Sequence, residues 1–343
     1  MKKINEHKGE INPGKIFETC FAFAPSRILV AGVDLDVFTH IANGNRTAKE
    51  IANAANANIR GMEILLNSLV ALNFLTKSLN CDNNGKYDLE EISKTFLVKG
   101  IETYYGDFVS HVDMLWEPWR NLTEVVRTGK PFAPVEREEG EKFFEKLVLQ
   151  LVPMSYPGAK AAAEALGVGD TWKGLRILDV GAGSGAWGTA FVQRDDSSRV
   201  TFQDWPGVLK VTETFVNSHG IAEKADYIPG DLRKVDFGEN KYDLAILGHI
   251  CHSEGEKNSR VLLSKIYKSL KKGGKILIAD MISDDERSSA IFPLLFAVNM
   301  LVNTTEGNTF TMAEYTQWLK ETGFGSIGTI DIPGPSPLIV AEK

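Results

Sequence analysis

The residues best placed to do chemistry lie in the second half of the chain. Gly181-Ala182-Gly183-Ser184-Gly185 follows the run Ile177-Leu178-Asp179-Val180 and precedes the apolar-rich stretch Ala186 to Gln193. Strand, glycine turn and helix in that order make a nucleotide-binding turn. The glycines let the chain bend tightly and a ligand approach the backbone, and the helix start offers free N–H groups. A dinucleotide site spaces its glycines Gly-x-Gly-x-x-Gly, whereas here the third glycine comes one residue early and Gly188 follows. Asp179, Asp204 and Asp231 stand at or just after the ends of successive strands. Asp204 is spaced to accept hydrogen bonds from both ribose hydroxyls, and Asp231, after Gly230, to accept from an adenine amino group. Three acids without a phosphate-binding lysine suit a cationic sulfonium nucleoside better than a triphosphate.

His249 and His252 come just past the run Leu244 to Leu247, facing the crevice expected at that strand end. An imidazole titrates near neutrality and is the usual base for a hydroxyl proton. Phe292, Phe296, Asn299, Met300 and Asn303 fall on a helical stripe, with Trp116 and Tyr156 as additions. Ordinary core packing explains an apolar stripe equally well. The two amides are the better pocket candidates, because a buried amide needs a partner. Such a pocket takes a flat, apolar acceptor with a few polar groups.

The elements that must hold these residues read as α/β. From Leu175 strands and helices alternate, giving a doubly wound Rossmann-like sheet closed by an antiparallel hairpin between Gly328 and Ala341, around Pro333-Gly334-Pro335. Before it, residues 101–165 read as connecting helices that cover the active site, and residues 166–343 as the catalytic domain. Residues 10–100 read as helices and a hairpin. A capping box, Thr47 to Glu50, opens one helix, Met62 to Leu72 marks a second, and a turn at Asp82-Asn83-Asn84-Gly85-Lys86 joins two short strands. This is a winged-helix pattern, yet Ile51 to Leu72 holds a single basic residue, Arg60, where a recognition helix needs several.

Composition agrees. A formal net charge of -7 disfavours nucleic acid and anionic membranes as partners. Met1 to Lys8 has no apolar run after its lysines, and no eighteen-residue apolar stretch occurs, so neither a signal peptide nor a membrane span is expected. Cys20, Cys81 and Cys251 are odd in number and widely spaced, which predicts reduced thiols in a cytoplasm, no disulfide and no metal site.

Four segments carry a family resemblance: Ile177 to Gly185, Phe202-Gln203-Asp204-Trp205-Pro206, Gly230-Asp231-Leu232, and Lys272-Gly273-Gly274-Lys275-Ile276-Leu277-Ile278. Together they resemble the plant-type and bacterial small-molecule O-methyltransferases, which use S-adenosylmethionine. The resemblance spans almost the whole chain and implies a homodimer built on an N-terminal winged-helix dimerisation domain. It implies that Asp204 holds the ribose and Asp231 the adenine, with Gly181, Gly183, Gly185, Trp205, Gly230 and Leu232 in the same motifs and Met154 close to the cofactor. It implies His252, rather than His249, as general base, Asp280 as the acid that orients it, and an aromatic hydroxyl as acceptor. Phe202-Gln203-Asp204-Trp205-Pro206 departs mildly from the family's Phe-Asp-Leu-Pro, and around the expected base the chain departs in three places. Ser253 and Glu254 replace an Asp-Trp pair after the base, and Thr309 stands where a second orienting acid is expected. A weakly oriented base suits an easily ionised phenol. It also suits methylation of carbon or nitrogen, and a cofactor-responsive DNA-binding regulator is the rival from another class.

Overall fold

The computed structural model describes residues 11–79, 85–135, 140–332, 334 and 336–343. Met1 to Lys8, Cys81, Asp82 to Asn84, Pro333 and Pro335 therefore lie outside the described residues. The chain forms two units, divided between Asp113 and Met114. The helices of residues 114–165 fall in the second unit.

The first unit begins with α1 (Gly14–Phe21), α2 (Phe23–Asp34) and α3 (Val37–Ala42). Then come α4 (Ala48–Ala54), α5 (Ile59–Ala71), the antiparallel pair β1 (Leu75–Leu79) and β2 (Gly85–Leu89), α6 (Glu91–Phe96) and α7 (Gly106–His111). The capping box predicted for α4 is present: Thr47 Oγ1 accepts from Glu50 N, and the Glu50 carboxylate accepts from Thr47 N at 2.9 Å. Val37, Phe38, Ile41, Ile51, Leu66 and Leu69 form its core. In contrast, Ile16, Phe17, Phe21 and Phe23 are half or more exposed on α1 and α2. Residues Gly14–Asp34, taken as one stretch, are long and apolar enough by composition alone to cross a bilayer. No uninterrupted apolar run marks this stretch in the sequence, because Lys15, Glu18 and Arg27 punctuate it.

The second unit opens with α8 (Trp116–Arg120), α9 (Leu122–Thr128), α10 (Glu141–Gln150) and α11 (Val152–Ala165). The alternation follows as β3 (Arg176–Val180), α12 (Ala186–Arg194), β4 (Arg199–Asp204), α13 (Pro206–Ser218), β5 (Ala225–Pro229), β6 (Tyr242–Gly248), α14 (Cys251–Ser269) and β7 (Leu270–Ala279). It continues through β8 (Ile282–Ser283), α15 (Ile291–Asn303), β9 (Phe310–Thr311), α16 (Met312–Thr322), β10 (Gly325–Ile330) and β11 (Leu338–Glu342). The main sheet has the order β10-β11-β7-β6-β3-β4-β5. Its five strands from β7 to β5 are parallel and β11 is antiparallel to both neighbours. The predicted doubly wound sheet and its closing hairpin are both present.

Alternation along each central strand explains the two layers. Ile177, Leu244, Ile246 and Leu277 share one core with Phe191, Leu209 and Val216, from the helices on that face. Leu178, Ala245, Leu247 and Ile276 share the other with Leu262, Ile266 and Trp318. Successive side chains of a strand point to opposite faces, so a strand buried on both reads as a continuous apolar run. The chain leaves β3 toward β4 on one side and returns to β6 on the other. That reversal opens a crevice at the carboxyl ends of β3 and β6.

Candidate functional site

The turn after β3 is held in a form that glycine permits. Gly181, Gly183 and Gly185 have φ of 63°, 58° and 81°, in the left-handed region. A Cβ on Gly181 would overlap Ile250 Cδ1, and one on Gly185 would lie 2.7 Å from Thr212 Cγ2. Asp204, at the end of β4, accepts from Gly183 N at 2.8 Å and Trp205 N at 2.7 Å. Asp179 is buried and accepts from Gly188 N at 2.8 Å. Gly188, which the sequence marks only by its spacing, must be small, because a Cβ there would press on Phe202, Val200 and the Asp179 carboxylate.

Burial pushes the Asp179 carboxyl up to about 7 and the Asp204 carboxyl up to about 6, against the N–H bonds that favour their anions. The neighbouring Glu141 carboxylate adds to the second shift. A cation bound near two carboxyls that resist ionisation would favour their charged forms. Below the ordinary aspartate range near 3.8 both contribute to the stability of the free protein. That contribution is lost as the pH rises through about 6 and 7. A bound cation acts oppositely, because it favours the ionised forms. The rise in melting temperature given by S-adenosylmethionine, less that given by the uncharged thioether S-adenosylhomocysteine, is therefore expected to be larger at about pH 8 than at about pH 5. Thermal-shift titration with both ligands checks this, and a difference independent of pH contradicts it.

Asp231 lies in the turn after β5, and Arg233 engages it. Its Oδ1 accepts from Arg233 N at 2.9 Å and Nε at 2.8 Å, and its Oδ2 from Nη2 at 3.0 Å. Burial raises the carboxyl, but these bonds outweigh it and hold the group below its ordinary value. Lys234 Nζ lies a further 3.7 Å from Oδ2, so two cations face this carboxylate. Gln203, fully buried beside Asp204, donates to Gly230 O at 2.6 Å and ties the two turns together. Gly230 N in turn donates to Asp204 O at 2.9 Å. Neither Gln203 nor Arg233 stood out in the sequence, although both lie inside or beside its motifs. Trp205 caps α13 by its backbone, Leu232 O accepts from Lys265 Nζ at 2.6 Å, and Met154 lies half-buried in the first turn of α11.

The two histidines lie just past β6. His252 is in the first turn of α14, which Gly255 interrupts at φ 75° and ψ 171°. His252 Nδ1 lies 2.6 Å from Asp280 Oδ1, and His252 N donates to Asp280 Oδ2 at 3.0 Å. Asp280 is 3% exposed, yet every acceptor direction is used: Met281 N donates to Oδ1 at 2.8 Å and Tyr315 Oη to Oδ2 at 2.7 Å. Burial raises the Asp280 carboxyl, but His252, His249 and Tyr315 more than offset it and hold the group ionised. Tyr315 did not stand out in the sequence; its signal was its place directly after the capping-box residue Glu314. Thr309 faces elsewhere, bonding Ser283 Oγ at 3.0 Å and Pro293 O at 3.2 Å. Asp280 and, through it, the Tyr315 phenol thus hold the His252 ring.

His249 lies 6.3 Å from His252, ring to ring, and Phe296 meets the His252 ring edge to face at 5.0 Å. Asn299 Oδ1 accepts from Trp119 Nε1 at 3.1 Å and Asn303 Nδ2 at 3.2 Å. Met300, on the same helix, is buried. The amides therefore find part of their bonding within the protein, and Asn299 Nδ2 and Asn303 Oδ1 have no partner among the described residues. Tyr156 is a correction. Its hydroxyl donates to Gln193, and its ring packs edge-on to Phe215 and His219, on the α11–α13 face of the sheet. His252 and Asp280 lie on the opposite face, with α14 and α16. Tyr156 thus stands with helix-packing residues and not with the acceptor stripe.

Comparison with known proteins agrees with this geometry. Residues 161–325 match an O-methyltransferase domain and residues 17–99 an O-methyltransferase dimerisation domain. The chain is 28% identical to a tetracenomycin polyketide synthesis 8-O-methyl transferase of Streptomyces glaucescens, over 99% of each chain. It is 29% identical to a 3-hydroxy-5-methyl-1-naphthoate 3-O-methyltransferase of Streptomyces sahachiroi, over 93% of this chain and 92% of the relative. Its fold matches human N-acetylserotonin methyltransferase, whose structure is a complex with S-adenosylmethionine, at a TM-score of 0.85 and 23% identity, covering 98% of this chain and 99% of the other. The chain belongs to the O-methyltransferase family and is an S-adenosylmethionine-dependent methyltransferase.

Proposed function

We propose that the acceptor is a small aromatic molecule methylated on a hydroxyl, with His252 as general base. The observation that carries this is the 2.6 Å bond from His252 Nδ1 to an ionised, fully bonded Asp280. That bond fixes the imidazole proton on Nδ1 and leaves the Nε2 lone pair to take a proton. When bound, S-adenosylmethionine supplies an electrophilic methyl carbon. The acceptor oxygen forms the new C–O bond as the C–S bond breaks with its electron pair on sulfur, and the hydroxyl proton passes to His252 Nε2. Asp204 and Asp231 would hold the nucleoside, the Gly181 to Gly185 turn would pass close beside it, and Met154 would lie near it. Phe296, Met300 and the amides of Asn299 and Asn303 would line the acceptor side. The polyketide and naphthoate acceptors named for the two Streptomyces relatives support a flat phenol from secondary metabolism.

Incubation with methyl-labelled cofactor and a panel of phenols tests the reading, and NMR of the product identifies the methylated atom. A methyl group on carbon or nitrogen would refute the oxygen assignment. Asp204→Ala is expected to weaken cofactor binding by about 10- to 100-fold, the range for losing hydrogen bonds to a charged group, as read by calorimetry. The helix–helix–hairpin order of the first unit supports a winged-helix reading. The exposed aromatic face of α1 and α2, mostly within the matched dimerisation span, supports a homodimer. Light scattering giving the mass of one chain would contradict the dimer.

A further inference from the structure

His249 has features that packing does not demand. Its backbone sits at φ 64°, a region that non-glycine residues enter rarely and that clusters at functional sites. Its ring is half-buried, and Nδ1 is the buried nitrogen, without a hydrogen-bond partner among the described residues. Nε2 is therefore the nitrogen on the open side. A proton on Nδ1 would leave a buried N–H with nothing to accept it, and orphaned donors are rarer in proteins than orphaned acceptors. The proton belongs on Nε2. Burial also pushes the imidazole down to about 4, so the ring is neutral at neutral pH. His252 is the mirror case, since its Nδ1 donates to Asp280 and its Nε2 keeps the lone pair. The two rings lie 6.3 Å apart at 47° and bring nitrogens to within 4.8 Å of the Asp280 carboxylate. One imidazole thus offers a lone pair and its neighbour an N–H.

We propose that His249 is a specificity-determining residue that donates its Nε2–H to a second oxygen of the substrate, beside the hydroxyl that is methylated. The enzyme then selects aromatic rings in which a carbonyl stands ortho or peri to that hydroxyl. This rests on the reading of His252 as base. Donation to the methylated oxygen itself would oppose the reaction, because it draws electron density from the nucleophile. Donation to a neighbouring carbonyl does not. It competes with the internal O–H···O=C bond that otherwise holds the phenolic proton, and so frees that proton for His252. It also fixes the ring rotation that brings the hydroxyl to the methyl carbon.

The ortho and para isomers of hydroxyacetophenone test this, since they differ only in whether the carbonyl neighbours the hydroxyl. Wild type is expected to favour the ortho isomer in kcat/KM by about tenfold or more, one hydrogen bond's discrimination. His249→Gly, which keeps the left-handed backbone and removes the donor, should bring the two isomers to within about twofold. His249→Asn, which tolerates that backbone and retains an N–H, should restore most of the preference. If turnover is too slow to measure, binding of the two isomers to the complex with S-adenosylhomocysteine is compared by calorimetry. Equal handling of the isomers by wild type, no binding of either, or an unchanged preference in His249→Gly would overturn the proposal. Nitrogen NMR of histidine-labelled protein should find the proton of His249 on Nε2 and that of His252 on Nδ1; a His249 proton on Nδ1 also overturns it. His252→Ala separates the two readings. It should slow both isomers, the less acidic ortho isomer the more, while the binding preference between them persists. Full activity of that variant with the preference intact would remove the base and leave the selector.

Discussion

His252→Ala is expected to lower kcat by about 10²- to 10⁴-fold, the usual contribution of a positioned base, while cofactor affinity stays within a few-fold of wild type. The loss should depend on the acceptor. A phenol that ionises unaided, such as a nitrophenol, needs little help with its proton, so its rate should fall least. A weakly acidic phenol should lose the full factor. Rates measured across phenols of graded acidity check both parts, since a variant that is merely misfolded would slow all of them together. Wild-type turnover with weakly acidic phenols would remove His252 from the mechanism.

Asp280→Asn is expected to cost about as much activity, for a different reason, and to cost stability as well. The carboxylate accepts from His252 Nδ1, His252 N, Met281 N and Tyr315 Oη. An amide cannot accept on both sides, so whichever way it turns its NH2 group opposes one of the two backbone N–H groups. Leaving a buried donor unmet costs about 1–3 kcal/mol, and the melting temperature should fall accordingly. The activity loss, about 10²-fold or more, comes from charge: proton uptake makes an imidazolium, and a buried anion beside it stabilises that form far more than an amide does. Single-turnover rates with saturating cofactor measure this, and a melting curve measures the other cost. Tyr315→Phe removes one donor and leaves the carboxylate charged, so it should affect both quantities less. Equal losses in the two variants would assign the effect to packing rather than charge.

Much of the fold was legible because it rests on local and periodic features. The run Ile177 to Val180 and its counterparts read as strands because a parallel sheet buried on both faces needs continuous apolar residues. The capping box at Thr47 read directly, since such a cap spans only three residues. The end of the helical region around His252 did not read, because Gly255 breaks α14 just after its first turn and disguises the start as a loop. Tyr156 shares an aromatic character with the acceptor stripe, but only the choice of sheet face separates it from His252.

The sequence by itself determined the nucleoside turn and the acids around it: Gly181 to Gly185, Asp179, Asp204 and Asp231 are fixed by short spacings at strand ends, and strand ends converge in a doubly wound sheet. Tertiary structure decided the state of each acid and imidazole. Arg233 lowers Asp231, while burial raises Asp179 and Asp204. Tyr315, 35 residues from Asp280, donates to its carboxylate. The opposed tautomers of His249 and His252 follow from which nitrogen is buried and which is bonded. Charge state and tautomer depend on neighbours brought together from distant parts of the chain, and no local spacing encodes those neighbours.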